Sequence, residues 1–72
     1  MNNLLDEFQY ALECIEENQI DKAKDTLIEL DESARARSIL SMLEANEIFL
    51  AHETLQKYIY ELSKDEENYY EY

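Results

Sequence analysis

ALECIEENQIDKAKDTL, residues 11–27, and ILSMLEANEIFLAHETL, residues 39–55, align without a gap at an offset of 28. Seven of the 17 pairs are identical: Leu12/Leu40, Glu16/Glu44, Asn18/Asn46, Ile20/Ile48, Ala23/Ala51, Thr26/Thr54 and Leu27/Leu55. Ile15/Leu43 and Cys14/Met42 are conservative. The matches fall where a helical hairpin needs them. Leu5, Phe8, Leu12 and Ile15 are spaced 3, 4, 3 and share one helix face. Asn18 follows the last apolar residue of that run. Asparagine tolerates the left-handed backbone of a helix C-terminus better than other non-glycine residues. The chain has no glycine and no proline, so this tolerance matters here. Ile20, Ala23, Leu27 and Leu30 restart the spacing on a second helix.

The second copy repeats the scheme. Ala36, Ile39 or Leu40, and Leu43 form a stripe, Asn46 breaks it, and Ile48, Ala51, Leu55, Tyr58 and Leu62 form the next. The expectation is an all-α fold of two antiparallel helical hairpins, 3–31 and 33–63, with helices at 3–18, 20–31, 33–46 and 48–63. Asn3 is the expected cap of the first helix, with Asp6 at capping-box distance. Asp21 and Asp25 favour the start of the second helix. One hairpin was duplicated, and two hairpins bury a core that one alone cannot. The alternative is a three-helix protein with one long central helix over residues 21–45, because nothing between Asp31 and Ser38 forbids helix.

Seventy-two residues make one small domain, 1–63, followed by an acidic, tyrosine-rich tail at 64–72. So short a chain buries roughly 60% of its unfolded surface. Its single cysteine excludes a disulfide, and the absence of a Cys/His cluster leaves no structural metal. Small scaffolds in this position gain burial by self-association or by a partner. Eighteen acids against six bases give a formal net charge of −12. That surface repels nucleic acid and anionic membranes and attracts basic proteins. No basic start or uninterrupted apolar run marks a signal peptide, and no membrane span is present, so the expected location is cytoplasmic.

The hairpins resemble those of the tetratricopeptide family, in which a small residue in the first helix faces an alanine in the second. Ala11, the turn at Asn18, Ala23 and Leu27 follow that layout, as do the turn at Asn46, Ala51 and Leu55. The chain departs from the family at Ile39, in its shorter repeat of 28, and in lacking the aromatic, glycine and proline markers. The resemblance covers about two thirds of the chain and implies protein or peptide binding rather than catalysis.

The residue-level readings point the same way. His52 is the only histidine, and no Glu-x-x-His pair accompanies it, so a carboxylate-bridged metal site is unsupported. Phosphotransfer through His52 is the only catalytic option left, and the chain lacks the small and basic neighbours that chemistry uses. Cys14 sits among Glu13, Glu16 and Glu17, whose charge disfavours a reactive thiolate. It is expected to be packed. Ser33, Ser38, Ser41 and Ser63 have no base nearby in sequence, and without glycine there is no phosphate-cradling loop. Arg35 and Arg37 are expected to pair with Asp31 and Glu32.

Residues 1–18 hold five acids and no base. Glu13, Glu16 and Glu17 crowd the end of the first helix against its dipole, by about 0.3–1 kcal/mol each. Such broken local rules tend to occur at functional sites, and the alternative is a solvated face that keeps a small protein soluble. The last helix carries Phe49, Leu50, Ile59 and Tyr60 beyond its core stripe, and the tail adds Tyr69, Tyr70 and Tyr72. The sequence thus predicts a small acidic, non-catalytic interaction module without cofactor. It would regulate or inhibit a basic partner protein of nucleic-acid-binding or nuclease type, by nucleic-acid mimicry. Expected contacts are Glu13, Glu16, Glu17, Phe49, Tyr60, Tyr69 and Tyr70. The alternatives are a tetratricopeptide-like adaptor or chaperone and a structural homo-oligomer, the homodimer forming through the fourth helix.

Overall fold

The computed structural model describes residues 4–30 and 32–70, with side chains as far as Lys64. Asn3, Asp31 and Tyr72 lie outside the described residues, as do the side chains of Tyr69 and Tyr70. The fold is all-helical: α1 (Leu4–Glu16), α2 (Ile20–Ile28), α3 (Ala34–Glu44) and α4 (Ile48–Tyr70). Each helix packs on its neighbours in the chain, and α4 also packs on α1, which closes the four into a ring. The two hairpins are therefore α1–α2 and α3–α4.

The long central helix does not form. The chain leaves helix after Ile28 and re-enters it at Ala34. Leu30 N–H donates to the Leu27 carbonyl at 3.0 Å and Ser33 N–H to the Leu30 carbonyl at 2.9 Å, so tight turns replace the helical ladder. Ser33 is the expected first residue of the third helix, and inside a helix only in the three-helix alternative. Instead its backbone is extended, and its hydroxyl accepts from the Ala36 N–H at 3.2 Å as the cap of α3. A serine able to satisfy an orphan N–H favours a start over a continuation. α4 runs past residue 63 to Tyr70, where the sequence holds no glycine or proline to stop it.

Both hairpin turns use one geometry. Asn18 and Asn46 each have φ of 64°. Asn18 N–H donates to the Ile15 carbonyl at 3.0 Å, and Gln19 N–H to the Cys14 carbonyl at 2.7 Å. Twenty-eight residues later, Asn46 donates to Leu43 at 3.0 Å and Glu47 to Met42 at 2.9 Å. These are two Schellman caps, each using asparagine in the place glycine usually takes. The repeat is thus a repeat of backbone as well as of sequence.

The core repeats too. Ten of its eleven buried apolar residues form five pairs at that offset: Phe8/Ala36, Ala11/Ile39, Ile15/Leu43, Ala23/Ala51 and Leu27/Leu55. The eleventh, Cys14, corresponds to half-buried Met42. Two of the pairs exchange size. Phe8 is large where Ala36 is small, and Ala11 is small where Ile39 is large. Two equal hairpins would put two large residues at one level of the core and two small ones at another. The exchange gives each copy one large and one small residue at these two positions. Ala23 and Ala51 stay small and fully buried in both copies.

Replacing Asn18 or Asn46 by alanine should cost about 1 kcal/mol each, the left-handed penalty for a side chain that cannot bond locally. Glycine at either position should be neutral or stabilising. Urea midpoints of the four single variants measure this, with unchanged midpoints for both alanines counting against the turn assignment.

Candidate functional site

The candidate surface is the outer side of α1 and α4. At 100° per residue, Asp6, Tyr10, Glu13 and Glu17 fall within roughly 60° of one another, opposite Phe8, Ala11 and Ile15. All four are exposed. Tyr10, at 50% exposure, is the one aromatic in that acidic row. Its phenol is held above its ordinary value of 10.0. The largest cause is hydrogen bonding with the Cys14 side chain one turn on, followed by the charge of that group, then burial, then Glu13 and Glu17. Cys14 itself is 4% exposed, a packed thiol.

Glu16 does not belong to the same row. Its carboxylate Oε2 lies 3.0 Å from His52 Nε2, so it reaches across to α4. Glu16, one of the three acids crowding the end of α1, therefore has a structural role that the sequence spacing concealed. Thirty-six residues separate the partners. At the other end of α1 the Phe8 ring stacks on the Tyr58 ring of α4, with centroids 6.3 Å apart. Glu16–His52 and Phe8–Tyr58 together set α1 and α4 antiparallel.

Arg35 also differs from expectation. It pairs with Glu61 at 3.7 Å rather than with Glu32, and its guanidinium sits 5.5 Å from the centre of the Tyr58 ring. Asp31, the other expected partner, lies outside the described residues. Arg35 begins α3, so this contact ties α3 to α4 where Phe8 ties α1 to α4. Tyr58 is the hinge of three helices, a role its place in a helix stripe did not reveal. A planar, delocalised cation suits an aromatic face in a way lysine does not.

Phe49 and Tyr60 lie apart from the acids, on the face of α4 turned away from the core. They are 75% and 65% exposed. Leu50, beside Phe49, is 46% exposed. The structure thus divides the expected contact residues: Glu13 and Glu17 on α1, Phe49 and Tyr60 on α4, and Glu16 bridging between the helices. For Tyr69 and Tyr70 only the helical backbone is described.

No buried side-chain polar atom among the described residues lacks a partner. Two depressions on the surface are open. One of about 480 Å³ lies between Leu4 and the α2–α3 turn, and one of about 530 Å³ runs along Ala34, Ser38, Ser41 and Ala45 of α3. Among the described residues no three His, Cys, Asp or Glu side chains are placed to hold a metal ion. No described helix is long and apolar enough to cross a membrane. No protein-family model, curated protein or solved structure matches this chain.

Two measurements test these contacts. A double-mutant cycle on Glu16→Ala and His52→Ala should give a coupling of about 0.3–1 kcal/mol, the range for a half-exposed pair. Zero coupling would mean that the two side chains do not meet in solution. A spectrophotometric tyrosine titration, compared with the Tyr10→Phe variant, should place Tyr10 above its ordinary value. Glu13→Gln with Glu17→Gln should lower it. The raised value means that the folded state holds this proton more tightly, so Tyr10's contribution to stability is present below about pH 10 and falls as pH rises beyond it.

Proposed function

We propose that this protein is a small, non-catalytic interaction module that regulates or inhibits a basic partner protein, of nucleic-acid-binding or nuclease type. The observation that carries this reading is the outward face of α1, where Asp6, Glu13 and Glu17 surround Tyr10 and no base lies among residues 1–18. Along the helix axis these carboxylates stand about 10 Å and 6 Å apart. A row of negative charges on one helix face offers a basic groove charge of the same sign as a phosphate backbone. The mechanism has two parts. The net charge of −12 steers the partner in and raises the association rate. Tyr10, with an apolar body and a polar tip, then supplies contact area at low conformational cost.

The fold favours this reading over a peptide-holding adaptor. An adaptor needs an open groove between the hairpins. Here the space between them is filled by Phe8, Leu27, Ile39 and Leu55, all fully buried. The rigid outer faces of the helices are what remains to offer a partner.

Affinity capture from host lysate, washed at low and at high salt, tests the proposal. The expected result is a basic protein retained at low salt and released at high salt, since charges on the surface are screened within about 10 Å at 0.1 M. Glu13→Gln with Glu17→Gln should slow its association several-fold and leave thermal stability near that of the parent. A partner that is not basic, or one indifferent to both salt and these two substitutions, would overturn it.

A further inference from the structure

The internal repeat supplies a control for the fourth helix. Phe49 and Leu50 stand where the first copy has Asp21 and Lys22. All four positions are exposed, in the first turn of α4 and of α2. The first copy shows what that turn requires, and it requires charged residues that solvate well. An aspartate there also complements the helix dipole. Phe49 and Leu50 forgo both advantages and gain no core contact. Tyr60 continues the same outer face about 16 Å along the axis.

The charges on this face set it apart from the rest of the molecule. Glu53 stands with Lys57 and Lys64 on this face, while Glu61 turns to Arg35 of α3, so the described part of the face carries no net negative charge on a chain of net charge −12. A strongly basic partner is drawn to α1 and finds no such pull here. A second copy of this chain meets repulsion on its acidic surfaces and none on this one.

We infer that the outer face of α4 is a homodimer interface, in which two copies pack α4 against α4 antiparallel. With the two-fold axis at the level of Leu55, Glu53 of each copy faces Lys57 of the other. Leu50, with Phe49 beside it, comes level with the other copy's Tyr60. The contact is isologous, so each pairing occurs twice. It leaves both α1 faces uncovered and shares no residue with them. The dimer therefore stands or falls separately from the proposed binding of a basic partner. Its salt dependence is also of opposite sign. Screening removes the mutual repulsion of two acidic chains, so the dimer tightens as salt rises, whereas binding of a basic protein weakens.

Sedimentation equilibrium of the full chain at low and high salt tests this. The expected result is a dimer through the micromolar range that tightens with salt. Phe49→Asp with Leu50→Lys, which copies the first hairpin's own residues, should weaken it roughly 100-fold while circular dichroism and the thermal midpoint hold. Glu53→Lys alone should weaken it, and Glu53→Lys with Lys57→Glu should restore it. A monomer throughout, a dimer indifferent to Phe49→Asp with Leu50→Lys, or a dimer that salt dissolves would each overturn the interface. Failure of the double charge exchange to restore association would overturn the antiparallel register.

Discussion

A chain without glycine still has to reverse direction, and here it does so twice through the left-handed backbone of asparagine. Asn18 and Asn46 share a φ of 64° and the same pair of capping hydrogen bonds. Every later feature depends on those two turns. They fix how α1 meets α2 and α3 meets α4, with Ala23 and Ala51 buried in the core between the helices. Had either residue been β-branched, the left-handed geometry would have carried a genuine steric penalty. The third connection works differently. It is a run of short turns ended by the Ser33 cap, and it has no counterpart in the repeat.

Neither hairpin is sufficient alone. Each exposes one apolar stripe, and only the partner hairpin covers it. The internal repeat runs through the core: five pairs of buried residues stand at one offset, two of them with large and small exchanged. The divergence also runs along the seams. Phe8, Tyr58 and Arg35 join α1, α4 and α3 on one side, whereas their equivalents at the same offset include Leu30 and Glu7. The molecule is thus two similar halves made complementary rather than identical, which specifies one hairpin packed on the other.

The same comparison separates structural residues from free ones. Where both copies keep a residue type, the fold accounts for it. Where an exposed position is charged in one copy and aromatic in the other, the fold does not. This comparison sets the apolar face of α4 apart, for which we propose a second copy as the occupant, while the proposed basic partner takes the acids of α1. A dimer so built would present two acidic faces at once.

Sequence alone determined the all-helical class, the location of both hairpin turns and most of the core, because apolar spacing and left-handed tolerance are local properties of residues. It also determined the charge imbalance of the first 18 residues. Local spacing could not decide whether residues 21–45 were one helix or two, since that choice rests on a cap bond and on packing between hairpins. Nor could it pair Glu16 with His52 or Arg35 with Glu61, which are 36 and 26 residues apart and meet only when α4 closes the ring. Contacts between distant residues depend on where each helix lies, and that is decided by the packed core.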